Sequence, residues 1–226
     1  MYIMHTETLL KLMKGYVKKT MNKIDDFHGE FFFLSNFFEY PFWYLGREWK
    51  TVEHAFQALK CANKEDIDKV HAAPTPGEAK RIGRRATLIP NWDYKRNDVM
   101  MRCLLMKFLQ NDELLGRLMA TGDAVLIEGN TWHDNYWGDC HCEKCKDKPG
   151  SNMLGNMLME IRHNVRNGNY IWCVRDMQNG GEITQYFKTR ERALRSIAAE
   201  ARKCNMTLVN PYECNDWRLD VVCLTE

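Results

Sequence analysis

No long apolar run is found in this 226-residue chain. A membrane-spanning helix needs about 20 consecutive apolar residues, so no membrane partner is expected. The N-terminus also lacks the apolar stretch and small-residue cleavage site of a secretory signal. Strong charge of either sign is missing too. Thirty-two Lys and Arg stand against 30 Asp and Glu, a net +2, which is no broad field for binding nucleic acid. There is no Gly-rich dinucleotide fingerprint, no P-loop and no G-x-S-x-G elbow. Internal repeats and low-complexity tracts are also absent.

What is present suits a packed, water-soluble domain. Hydrophobic residues make up 45% of the chain and aromatics 12%, enough to exclude global disorder. The nine cysteines, an odd number without a secretory signal, read as reduced thiols in a cytoplasm, with metal binding as the exception. The expected localisation is therefore cytoplasmic.

Three segments are expected: a basic amphipathic extension at 1–20, a main domain at 21–166 and a small C-terminal α+β module at 167–226. In the main domain, Phe31–Trp49 is dense in aromatics and reads as short strands and turns. TVEHAFQALK follows as a helix with Thr51 as its N-cap. Further helices are expected over 64–72, from Pro76, over 91–110 and over 112–120, the last stopped by Gly122. AVLIEGN reads as one strand, 131–150 as a loop, and NMLGNMLMEIRHNV as a closing helix. The fold class is thus mainly α with a few short strands, plus a ββαβ-like tail in which Asn179, Gly180 and Gly181 supply a hairpin turn. Eight basic and eight acidic residues between 169 and 226 make that tail a packing or interaction module rather than a phosphate-binding arm.

Glu53, Gln57 and Lys60 are spaced so that they share one face of the first helix, beside an apolar stripe of Val52, Ala55, Phe56 and Leu59. Such a line is either a solvated face or the wall of a pocket. The loop NTWHDNYWGD crowds aromatics and carboxylates together, with Gly138 allowing close backbone approach between Trp137 and Asp139. Aromatic planes beside a carboxylate suit a flat heterocycle. Trp92 adds another aromatic, and Arg81, Arg84 and Arg85 add charge suited to phosphate. CHCEKC then offers Cys140, Cys142 and Cys145 as thiolate ligands for a structural zinc, the fourth ligand being His141, His133 or a distant residue.

These pieces together resemble the NADAR family, the YbiA-like N-glycosidases. The matching motifs run in order from 27 to 165: FLSNF at 33–37, W-x-T-V-E-H-A-F-Q-A-x-K at 49–60, R-x-G-R at 81–84, N-W at 91–92, MKF at 106–108, DNYWGD at 134–139 and N-x-L-G-x-x-L-M-E-x-R at 152–162. Neither residues 1–20 nor the tail is covered. The resemblance implies a YbiA-like, mainly helical fold and hydrolysis of a ribosyl C1′–N bond. Implied substrates are ADP-ribose on guanine, free or carried in DNA or RNA, a related ADP-ribose-type nucleotide, or a ribosylamino-pyrimidine. It places Glu53, Asp139 and Lys60 in catalysis, and Trp92, Trp137, Arg84, Asn36 and Asn152 at the substrate, with Gln57 and Asp134 beside them. Glu53 and Asp139 are the expected carboxylate pair, and Lys60 has a second role as a Schiff-base amine. No cofactor is expected to be required for catalysis. A non-catalytic reader of ADP-ribose is the alternative, and it needs no paired carboxylates. The cysteine-rich insert after WGD departs from the family's short loop and lies beside the expected pocket.

Overall fold

The computed structural model describes residues 22–178, 180–204 and 217–223. The extension expected at 1–20, and Asn179 of the expected turn, lie outside the described residues. The described residues divide into two compact units, one up to residue 161 and one from residue 162 onward. Among the described residues no helix is long and apolar enough to cross a membrane.

The larger unit is mostly helical. Strand β1 (Lys23–Ile24) leads into a 3-10 helix at Gly29–Leu34, then into the hairpin β2 (Phe42–Tyr44) and β3 (Arg47–Trp49). Leu45 and Gly46 turn that hairpin with positive φ of 52° and 76°, the dihedral sign a tight two-residue turn requires. Helix α1 (Val52–Leu59) starts where Thr51 Oγ1 accepts from the His54 N–H. Asn63 caps α2 (Lys64–Ala72) in the same manner, and Thr75 caps α3 (Pro76–Gly83), with Pro76 in the first turn, where no N–H is missed. Helices α4 (Trp92–Leu109) and α5 (Asp112–Ala120) follow, and Gly122 takes up a φ of 59° after the second. Trp49, Phe42, Phe108, Leu104, Leu118 and Leu154 are among the fully buried side chains of this unit.

AVLIEGN is not one strand. It forms two separate two-residue strands, β4 (Val125–Leu126), which pairs parallel with β1, and β5 (Gly129–Asn130), which pairs parallel with β6 (Asp139–Cys140). Between them the Gly129 N–H donates to the Ile127 carbonyl, and that local turn breaks the run. The segment therefore hands the chain from one partner to another, with Glu128 at the changeover. Helix α6 (Met153–Arg166) begins after the loop.

In the second unit, β7 (Tyr170–Asp176) is the central strand of an antiparallel sheet between β8 (Glu182–Phe187) and β9 (Trp217–Cys223). Helix α7 (Arg190–Lys203) is capped by Thr189. Its apolar side, Ala193, Ile197 and Ala201, forms one buried cluster with Val174 and Leu219. Arg175 and Asp220 pair across the sheet at 2.7 Å.

Candidate active site

The polar line on α1 is not a solvated face. Glu53 is 4% exposed and Gln57 5%, although a surface helix would leave both in water. The Gln57 amide donates to Glu53 Oε1 at 2.8 Å, and the Glu53 N–H donates to the Asn36 carbonyl at 3.1 Å. The segment that leads to Asn36 is held by a buried amine on another helix. Lys107 donates through Nζ to the Phe33 and Ser35 carbonyls at 2.7 and 2.9 Å. Burial, reinforced by the Arg117 charge, pushes its pKa down to about 7. The FLSNF and MKF motifs are thus two halves of one clamp on the N-terminal turn of α1.

Above this face lies a cavity of about 920 Å³. Glu53, Gln57 and Asn36 line it on one side, and Glu128, Asp134 and Trp137 also face it. Lys80 and Arg84 bring positive charge to its wall, and Phe37 lies beneath the Lys80 amine at 5.5 Å. Two acceptors in this wall, Asn36 Oδ1 and Gln57 Oε1, are buried and without a hydrogen-bond partner.

Glu128 is the second carboxylate of the cavity, and its position is fixed from behind. Its N–H donates to Asn152 Oδ1 at 3.0 Å, and its carbonyl accepts from the Asp139 N–H at 2.9 Å. Asn152 holds a φ of 48° and donates to the Leu126 carbonyl at 2.8 Å. A β-carbon on Gly138 would overlap the Glu128 carbonyl oxygen, and one on Gly155 would overlap that of Leu126. The two glycines allow both approaches.

Burial raises the pKa of Glu53, opposed by the charges of Lys80, Lys60 and Arg84 and by the Gln57 hydrogen bond. Burial, with the Asp134 charge and Glu53 adding, pushes Glu128 up to about 7 against Lys80. The cavity therefore holds three carboxyl groups, Glu53, Glu128 and Asp134, of which Glu53 and Glu128 have raised pKa values, as groups that exchange protons near neutral pH require.

Trp137 reaches the cavity from a rigid loop. Asp134 Oδ1 accepts from the Trp137 and Tyr136 N–H groups at 2.9 and 3.2 Å. The indole packs edge-on against Phe56 and Tyr136, with centroids 5.4 and 5.0 Å apart. Arg96 stacks 3.8 Å over the Tyr136 ring, and the Tyr136 hydroxyl donates to Asn97 at 2.7 Å.

Of the residues predicted from sequence, Glu53, Gln57, Asn36, Arg84, Asp134 and Trp137 meet at this cavity; Lys60, Trp92, Asp139 and Asn152 are not on its lining. Asp139 turns its carboxylate to the Gly150 N–H at 2.8 Å, so it secures the loop, and Glu128 is a carboxylate that lines the cavity with Glu53. Lys60 is buried at the end of α1, its amine pKa lowered by burial and sustained by the Glu53 charge. Trp92 packs behind the wall on Phe56 at 5.2 Å. Asn152 lies behind the lining, where its Oδ1 accepts from the Glu128 N–H. Glu128 and Lys80 escaped the sequence reading. The available signal for Glu128 was one carboxylate ending the apolar run AVLI.

Beside the cavity, ligand atoms of His133, Cys140, Cys142 and Cys145 lie within 4.8 Å of one another. His141 is not among them; its Nε2 lies against Gly129.

The NADAR domain family model matches residues 24–166. This chain belongs to the NADAR domain family. An N-glycosidase of Nostoc punctiforme is 38% identical over 139 residues, covering 59% of this chain and 85% of the relative. The N-glycosidase YbiA of Escherichia coli is 37% identical over 142 residues, covering 62% and 83%. The solution structure of E. coli YbiA superposes with a TM-score of 0.59 at 32% identity, over 67% of this chain and 90% of that one. Every residue lining the cavity lies within the NADAR region, and β7, β8, α7 and β9 lie beyond it.

Proposed function

We propose that this NADAR chain is an N-glycosidase that hydrolyses a ribosyl C1′–N bond in a nucleotide-type substrate. The observation that carries the reading is the pair Glu53 and Glu128, two interacting carboxyl groups of raised pKa in one cavity. A reader of the same ligand needs no such pair. Glu128, disposed to hold a proton near neutrality, donates it to the leaving nitrogen as the C1′–N bond breaks. Glu53 faces the positive charge growing at C1′ and, in its ionised form, which Lys80, Lys60 and Arg84 favour against burial, takes the proton of the attacking water. A C1′–O bond replaces the C1′–N bond, and no further reactant is needed.

Trp137 stacks the base, and Lys80 with Arg84 meets phosphate. A cavity of about 920 Å³ is at the roomy end for a small-molecule site, which favours an ADP-ribose-sized group over a bare nucleoside. The proposed substrate is therefore ADP-ribose on guanine, free or within DNA or RNA, ahead of a ribosylamino-pyrimidine nucleotide. With its reduced thiols the protein works in the cytoplasm, and residues 167–226 serve as a ββαβ interaction module outside the catalytic unit.

The test sets purified protein beside Glu53→Gln with an ADP-ribosylated guanine oligonucleotide, a free ADP-ribose-type nucleotide and ribosylamino-pyrimidine phosphate, with release followed by mass spectrometry. Cleavage that depends on Glu53 is expected, fastest on the first. Tight binding of a substrate without cleavage of any would identify a reader instead.

A further inference from the structure

We infer that His133, Cys140, Cys142 and Cys145 form a structural zinc site that sets one wall of the cavity. The first support is the geometry. His133 Nδ1 lies 3.3 Å from the sulfurs of both Cys142 and Cys145, and the His133 N–H reaches Cys140 Sγ at 3.3 Å. All four ligand atoms fall within 4.8 Å of one another. Ligands at about 2.0–2.3 Å from a tetrahedral zinc are separated from each other by about 3.5–3.8 Å, so small shifts bring this set to a coordination shell. Three soft sulfurs and an imidazole select zinc over magnesium or calcium.

The second support is what the loop lacks. Between residues 131 and 150, Cys140 and Cys145 are the only buried side chains. No apolar residue of this stretch is buried to hold it, and its second half, EKCKDK, is charged. A segment of this kind stays in one conformation when a metal takes the place of a core. The turns fit that role: the Cys145 N–H donates to the Cys142 carbonyl at 2.9 Å, and the Lys148 N–H to the Cys145 carbonyl at 2.8 Å.

Four protein ligands close the shell and leave no position for water, so the ion is structural and takes no part in the hydrolysis. Its reach into function is mechanical. His133 lines the cavity, Asp134 next to it accepts from the Trp137 N–H, and Cys140 ends the strand that begins with Asp139. The metal thus ties down both ends of the segment that presents Trp137.

The existence of the site does not rest on the proposed activity, and its test reads the metal directly. Full-length protein carrying no polyhistidine tag, purified without chelator, is expected to hold one zinc per chain by plasma mass spectrometry. Metal-stripped protein given cobalt(II) is expected to show the charge-transfer and d–d bands of a tetrahedral thiolate site. Cys142→Ser with Cys145→Ser should abolish both signals, whereas Cys204→Ser, an exposed cysteine of the other unit, should keep them. Wild-type protein that carries no zinc and gives no thiolate–cobalt bands overturns the inference, as does full zinc in the double variant. The cobalt titration of wild-type protein decides the matter even where the double variant misfolds.

Discussion

The Glu128 N–H donates to Asn152 Oδ1, and Asn152 Nδ2 donates to the Leu126 carbonyl. One side chain thereby brackets the changeover between β4 and β5 and aims the carboxyl group that ends it. Asn152 also occupies the left-handed region, at a φ of 48°, which asparagine tolerates better than most residues. Asn152→Ala removes both hydrogen bonds and adds backbone strain, together costing about 2–3 kcal/mol. Asn152→Gly removes the bonds but relieves the strain. Both variants should lose activity, roughly 10- to 100-fold in kcat, with the smaller drop in Tm for glycine. Wild-type kcat in Asn152→Gly would show that the residue serves only its dihedral angle.

Glu128 makes the reaction and the fold depend on pH in separable ways. As a proton donor with a pKa of about 7, it predicts a rate that falls as pH rises beyond that value. For stability the folded pKa lies above the unfolded one, so the folded state binds more protons between about 4.5 and 7. Stability contributed by Glu128 is therefore fully present below the unfolded pKa and is lost as pH rises toward 7. Glu128→Gln should remove the alkaline limb of the rate profile along with most of the rate. It should also be more stable than wild type to unfolding at pH 8, by about 1–3 kcal/mol, with the gap closing by pH 5. Comparing variant with wild type at each pH cancels the opposite trend from Lys107, whose amine is depressed. A gap that does not change with pH would remove Glu128 from the role of acid.

Much of the frame was legible along the chain because its determinants are local. Thr51 and Pro76 mark helix starts by the side-chain oxygen or ring that each start requires, and both stand there in the structure. The line of Glu53 and Gln57 was visible as spacing, and only tertiary packing converts it from a solvated face to a cavity wall. Glu128 was hidden for a different reason. Two-residue strands take their register from distant partners, Lys23–Ile24 and Asp139–Cys140, and no local pattern separates them within AVLIEGN. The same non-locality turned Asp139 inward to Gly150 and left the choice between His133 and His141 to the fold.

Lys107 tests the clamp beneath the cavity. Its amine supplies donors to the Phe33 and Ser35 carbonyls while fully buried. Lys107→Met keeps most of the volume and leaves both carbonyls without that donor, a loss of about 2–4 kcal/mol. The damage should pass through Asn36 to the start of α1, so kcat falls even at temperatures where the variant is fully folded. Chemical denaturation and single-turnover rates measure the two effects. A variant as stable as wild type would mean that these carbonyls find other donors.

Trp137 and Trp92 separate contact from support. Trp137 lines the cavity, and Trp92 packs behind it on Phe56. If Trp137 stacks the base, Trp137→Ala forfeits about 1–3 kcal/mol of binding, which is roughly a 5- to 150-fold rise in the dissociation constant. Trp92→Phe keeps an aromatic partner for Phe56 and should leave affinity within about twofold while lowering Tm slightly. Titrating ADP-ribose into each variant on a Glu53→Gln background isolates binding from turnover. Equal losses from both substitutions would mean that the tryptophans act only through packing, and the base would then have to be held by another aromatic residue of the wall, such as Phe37 or Trp132.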